Sequence, residues 1–371
     1  MLVLVAGSSV GAEPGGEPVA TPSPVPTQAA AAPATAPGEA TMPSPAPTAA
    51  PASATGVVWS ELRYAAHKLF LSATTTVRAA SVPAAELATI LRPPPGGRAV
   101  PIPPGGAVAV SVASVLPFGR DEDVTLWLDP TSGAAIGGEK TSLGGSPYHK
   151  LMRYTDGGLY TWRSAPHGAA EAAGAPAGWS AHSNYLVEAT AAPPPGVPVT
   201  ESYVLIYLVS AARLDDKDNS LRVVTLNRDR YVEITFTAGN LSYQRASFSE
   251  SWPGGGARRD GNVLVRAVRG TARIVGAASS RDDVDLGFLG MRGALTMFVE
   301  VGTGIPIAFS GRVDYVGTLN VRLTRATLLA APTGVAAAPP TRAPAAPTPA
   351  GGTPAAPPTT LPGDPVPTPS S

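Results

Sequence analysis

Residues 200–214 read TESYVLIYLVSAARL, and they hold the one long run in the chain that is apolar on every side, Tyr203 to Val209. A helix apolar all round has to be buried all round. Val204, Ile206 and Val209 are β-branched and favour a strand, and a short apolar run does not declare its own period. The ends favour a helix. Thr200 suits an N-cap, Glu201 and Arg213 sit at the termini where the helix dipole favours their charges, and Pro198 precedes the cap. About a dozen residues is also long for a strand. The expectation is one buried helix over 200–214, with the flanking segments curled around it as a sheet.

Those flanking segments mostly carry one apolar face. Val108, Val110 and Val112 alternate with small residues, and Val124 to Leu128 ends at the turn Asp129-Pro130-Thr131-Ser132-Gly133. Residues 149–154 and 159–163 flank Thr155-Asp156-Gly157-Gly158 as a hairpin. Residues 221–226, 231–238, 241–248, 263–275, 284–288, 295–301, 305–309 and 316–323 follow, with Gly239-Asn240 read as a two-residue turn. Val57 to Val77 is a long strand or a short helix passing into a strand, residues 84–91 a brief helix, and 92–106 a Pro/Gly loop. A loose Gly/Ala/Pro region runs to Trp179. The fold class is mainly β: a curled antiparallel sheet or half-barrel of about ten strands with one buried helix.

The ends differ in composition from this core. Of 42 prolines, 11 lie in residues 13–55 and 13 in 332–371, among Ala, Thr and Ser with almost no large apolar side chain. Such segments bury too little surface to offset their ordering entropy, so 13–55 and 331–371 are expected to be disordered tails around one domain at 56–330. As polyproline II, either would extend on the order of 100 Å. Met1 to Ala12, MLVLVAGSSVGA, fits the second half of a secretory signal with small residues at its cleavage site. No Lys or Arg precedes Arg63, and a start codon placed too late would account for the missing basic region. The run is too short to span a bilayer, and no later segment qualifies. The expectation is export to a bacterial periplasm or cell surface without membrane integration.

Charge and motifs narrow the function classes. Lys plus Arg equals Asp plus Glu at 27 each, without a basic block, which is not the footprint of a nucleic-acid binder. With no cysteine there is neither disulfide nor thiolate chemistry. Gly7-Ser8-Ser9-Val10-Gly11 matches the serine-hydrolase pattern but lies in the signal-like run, not at a strand-to-helix turn. Asp215, Asp216, Asp218 and Asn219 resemble the start of a calcium loop, yet the sixth-position glycine is missing and Asn227 replaces the bidentate Glu; they read as a solvated turn, as does Arg281-Asp282-Asp283 with Asp285. His67, His149, His167 and His182 lack metal-site spacing. Gly302-Thr303-Gly304 is a turn, and Asn240-Leu241-Ser242 matches a glycosylation acceptor only formally. No cofactor is implied.

The remaining candidates are aromatic and basic. Trp127, Tyr148, Tyr154, Tyr160 and Trp162 cluster in one β region, and Tyr203 and Tyr207 lie a turn apart on the expected helix. Aromatics with polar tips line cavities for apolar ligands or polymers, and they also fill ordinary cores. Lys150, Arg153 and Arg163 suit an anionic headgroup at a rim, or a solvated face. The leading expectation is a non-enzymatic envelope protein that binds an apolar or amphipathic, lipid-like or polymeric ligand, or an envelope protein partner. The alternatives are a scaffold tethered by its tails and a hydrolase whose site is assembled in space.

Several segments together resemble a family of exported bacterial proteins known only as a domain of unknown function. They are Leu126-Trp127-Leu128-Asp129-Pro130, Tyr148-His149-Lys150 with Arg153-Tyr154, Gly158-Leu159-Tyr160, the apolar helix, and Ile305-Pro306-Ile307 before Val316-Gly317-Thr318-Leu319. The resemblance spans most of 57–330 and implies a curled antiparallel sheet similar in shape to periplasmic lipoprotein carriers. It carries no catalytic residues with it. The Pro/Gly insert of 92–106 departs from it, as does the lack of a glycine-containing turn near Leu71-Ser72-Ala73.

Overall fold

The computed structural model describes residues 56–68, 71–96, 98–116, 120–277, 284–314 and 317–331. The signal-like run 1–12, the segments 13–55 and 332–371, and Arg281-Asp282-Asp283 lie outside the described residues.

The chain is mainly β, and its strands join in one large curved sheet. The first half is an antiparallel meander: β1 (Trp59–Lys68), β2 (Leu71–Val82), β3 (Ala107–Leu116), β4 (Arg120–Leu128), β5 (Ala135–Ser142), β6 (Tyr148–Thr155), β7 (Gly158–Ala165) and β8 (Ala181–Glu188). Helix α1 (Ala84–Ile90) bridges β2 and β3, and the short α2 (Ala169–Ala172) precedes β8. After the two-residue β9 (Val199–Thr200) comes α3 (Leu205–Ala212). The second half follows: β10 (Ser220–Asn227), β11 (Arg230–Trp252), β12 (Gly255–Ile274), β13 (Asp285–Phe288), β14 (Met291–Glu300), β15 (Pro306–Val313) and β16 (Gly317–Leu328). The spatial order is 8-7-6-5-4-3-2-1-16-15-14-12-11-10-9, with β13 beside β14.

One pairing departs from this linear order. Besides its antiparallel hairpin with β12, β11 pairs in parallel with β16, Ser249 to Ser251 against Arg325 to Thr327. Strands β11, β12, β14, β15 and β16 therefore close into a ring, from which β1 to β8 extend as a curled sheet. The seam holds a buried charge cluster: Glu250, opposite Ala326, lies 3.5 Å from Arg259, and Arg259 also pairs with Glu300. Burial pushes the Glu250 carboxyl up, the Arg259 guanidinium opposes this and the Glu300 charge adds to it.

The expected buried helix is present, set one step later than its sequence markers. A 3₁₀ turn at Ser202–Val204 leads into α3, whose residues Leu205 to Ala211 are all buried. Thr200 does not cap it. Thr200 belongs to β9, pairs with Thr225 of β10, and its buried hydroxyl has no hydrogen-bond partner among the described residues. At the other end Arg213 takes the left-handed conformation (φ 46°) that closes a helix, and its guanidinium donates to Gly302 O at 2.7 Å. The helix is held to the sheet by Trp59, whose indole N–H donates to Ser210 Oγ at 2.9 Å and whose ring meets Tyr207 edge-on.

Other expectations need correction. Among the described residues the sheet has sixteen strands rather than about ten. Val57 to Val77 contributes two of them, β1 and the start of β2, with no helical passage in the described part. Gly239-Asn240 is no turn: β11 runs straight through it with a bulge between Ala238 and Leu241, and reverses only past Trp252. A side chain at 239 would press on Ala267 O at 2.9 Å, so glycine lets the bulged strand lie close to β12. The glycine-rich β5 and the exposed β8 were hidden by weak apolar alternation.

Candidate ligand-binding site

The two ends of the sheet face one another. The segment leaving β8 reaches the β10–β11 turn, where Thr190 donates to Asp229 O through its backbone N–H (2.8 Å) and its hydroxyl (3.0 Å). Between β8 and β10 lies a cavity of about 400 Å³. That is within the range of small-molecule sites. A recess of about 50 Å³ beside Gln244, Phe298 and Phe309 has room for a few waters at most.

Alternation along the strands decides what the cavity sees. Val124 (β4), Met152 (β6), Leu159 (β7), Val187 (β8) and Leu226 (β10) form its apolar surface. Tyr148, Tyr185 and Tyr203 stand around it with Lys140, Lys150 and Glu201, and Arg228 and Thr161 complete the wall. Among the candidates named from sequence, Tyr148, Lys150 and Tyr203 line the cavity, and Tyr154 lies directly behind it, donating to Glu201 Oε1 at 2.9 Å.

Trp127, Arg153, Tyr160 and Trp162 are elsewhere, and strand parity is the reason. Trp127 points to the opposite face, where it packs with Leu87 of α1, Ala107 and Ile136 in a small separate core. Arg153, one residue from Met152 and Tyr154, is buried on that back face too and donates to Ile136 O (2.5 Å) and Val100 O (2.7 Å). Burial lowers its pKa. Tyr160, directly opposite Arg153, stacks edge-on with Trp162 at 4.7 Å between centroids, away from the cavity. Tyr207 is a core residue against Trp59, and burial pushes its hydroxyl up to about 12.

The polar wall is a connected network. Lys140 Nζ lies 2.6 Å from Tyr203 Oη and 3.1 Å from Glu122 Oε1, and Tyr203 Oη donates to Glu122 Oε2 at 3.0 Å. Burial opposes the Lys140 charge, but the oxygens of Tyr203 and Glu122 outweigh it and hold the ammonium above the usual lysine range. Burial raises Tyr203 and Tyr154, so both keep their protons. Glu201 is raised as well: burial outweighs the Tyr154 hydrogen bond and the charges of Lys140 and Lys150.

Sequence reasoning missed Glu122, Lys140, Tyr185 and Glu201. Lys140 follows Gly137-Gly138 in a strand with little apolar alternation, and Glu201 was assigned to a helix dipole. The signal available for Lys140 was cross-strand register: once β5, β6 and β7 are paired, Lys140, Lys150 and Arg163 fall side by side.

No known family profile matches the chain, and no curated relative does. Among solved structures it is similar to the crystal structure of a β-barrel-like protein of domain of unknown function DUF1849 from Brucella abortus. That similarity has 10% sequence identity and a TM-score of 0.39, covering 73% of this chain and 98% of the other.

Proposed function

We propose that this protein is a non-enzymatic binding protein of the cell envelope that holds an amphipathic ligand between the two ends of its curled sheet. The observation that carries this reading is the cavity itself: about 400 Å³, apolar along Val124, Met152, Leu159, Val187 and Leu226, and cationic on the wall beside them. An apolar chain against these side chains is removed from water, while a polar end meets lysine and tyrosine. Among the described residues no helix is long and apolar enough to cross a membrane. Export belongs to the proposal and is supported by the signal-like run 1–12 and by the family resemblance of residues 57–330.

The test is native mass spectrometry with organic extraction of protein purified from its own host. Co-purifying amphiphiles are expected, and Leu159→Trp, which fills the cavity, is expected to remove them while preserving the β-sheet circular dichroism. Protein that emerges empty and takes up no amphiphile added in excess would overturn the reading. N-terminal sequencing of the mature protein tests export, with Glu13 expected as its first residue.

A further inference from the structure

Three cations stand in one row on the cavity side of three neighbouring strands. Lys140 of β5 is directly opposite Lys150 of β6, and Lys150 is directly opposite Arg163 of β7. Like charges facing each other across strands are unfavourable, so such a row calls for compensating anions. Lys140 has one, the Glu122 carboxylate at 3.1 Å, with Tyr203 completing its shell. Lys150 and Arg163 form no ion pair: among the described residues neither has a carboxylate within ion-pair distance. Glu201, the carboxyl in the wall, feels the Lys150 charge without pairing with it and accepts from the Tyr154 hydroxyl.

What joins the two free cations is the ring of Tyr148. Lys150 Nζ lies 4.8 Å from its centroid and the Arg163 guanidinium carbon 5.5 Å, with Lys140 Nζ at 5.9 Å. The ring holds the cations in place without neutralising them. A guanidinium forks onto two oxygens of one anionic group, and an ammonium adds a third contact from any direction. Met152 and Leu159 lie on the same two strands as Lys150 and Arg163, so an anion held there has an apolar wall beside it.

We infer that Lys150 and Arg163, organised by Tyr148, bind the anionic headgroup of the ligand, a carboxylate or a phosphate monoester, with its chain along Met152, Leu159, Val187 and Leu226. This rests on the carrier reading above and names the chemistry of its ligand.

The test is calorimetric titration of the full chain with twelve-carbon amphiphiles that differ only in the head: dodecanoate, dodecyl phosphate, dodecanol and dodecyltrimethylammonium. Inorganic phosphate and acetate serve as heads without a chain. The acids are expected to bind on the order of tenfold or more tighter than the alcohol, the ammonium weakest. Their advantage is expected to shrink as salt rises. The better of dodecanoate and dodecyl phosphate identifies the head. K150M/R163M is expected to bring the acids down to the affinity of the alcohol, with an unchanged circular dichroism spectrum showing that the variant is folded. Should it not fold, K150M alone and the wild-type series decide. Equal binding of alcohol and acid overturns the anionic head and leaves the carrier reading standing. Phosphate binding as tightly as dodecyl phosphate, with no binding of the alcohol, supports the anion site and overturns the carrier reading. No binding by any amphiphile or ion overturns both.

Discussion

Thr200 is fully buried, and its hydroxyl has no hydrogen-bond partner among the described residues. A buried hydroxyl left unpaired costs free energy that an isosteric methyl does not. Thr200→Val is therefore expected to raise stability by about 1 kcal/mol, read as a higher urea midpoint at unchanged slope; a loss would mean that the hydroxyl finds a partner in solution. Glu201 behaves differently because its carboxyl is held by Tyr154 and is raised by burial. A carboxyl whose folded pKa lies above its unfolded value weighs against folding once the pH passes the unfolded value of about 4.3. Glu201→Gln keeps an oxygen for Tyr154 and removes the charge. It is expected to stabilise the protein at neutral pH, the gain fading as pH falls below the unfolded carboxylate range. A gain that persists at pH 3, measured by urea melts across pH, would contradict the assignment.

At the scale of elements, α3 shows how much was legible in the chain. Its all-round apolar character declared its burial, Leu205 to Ala211 having no face turned to water, while its identity as a helix was read from its ends even though Thr200 does not cap it. Ile206→Ala, at a fully buried position, is expected to cost about 2–5 kcal/mol, with the whole sheet melting together because strands from both halves share one core with it. The strands were legible where valine alternated with small residues, as in β3. They were not legible where glycine replaced the alternation (Gly137-Gly138 in β5) or where both faces are open to water, as along β8. Gly239-Asn240 carries turn chemistry in its sequence and bulge geometry in the fold, because β12 is long enough to pair across it. The cavity wall was half legible. Tyrosines and Lys150 could be named from type and clustering, but separating Lys150 from Arg153, or Tyr148 from Trp162, needed the facing of each strand.

Over the whole molecule, the ring made by β11, β12, β14, β15 and β16 fixes one half of the sheet, and the meander from β1 to β8 swings its far end round to β10. The cavity therefore lies where the two ends of the sheet meet without a continuous ladder, tied by Thr190 to Asp229. Thr190→Ala removes the hydroxyl contact and keeps the backbone one. It is expected to speed ligand release by about 2–5-fold, since one exposed hydrogen bond contributes roughly 0.5–1 kcal/mol, while the melting temperature stays within a degree or two. Stopped-flow displacement measures the rate, and an unchanged rate would mean that ligand leaves by another path.

The first and last strands lie against each other, with Trp59 opposite Leu328. The chain thus enters at Gly56 and departs at Ala331 from the same end of one antiparallel ladder. Tension applied through those two points opens the β1–β16 seam like a zipper, rung after rung, whereas attachment at Gly56 and Gly317 would load the same rungs together in shear. In single-molecule stretching the first geometry is expected to yield at distinctly lower force than the second. The strand that holds Trp59 against the helix is then the first to peel, and mechanical load on the chain ends would discharge the cavity before the ring gives way.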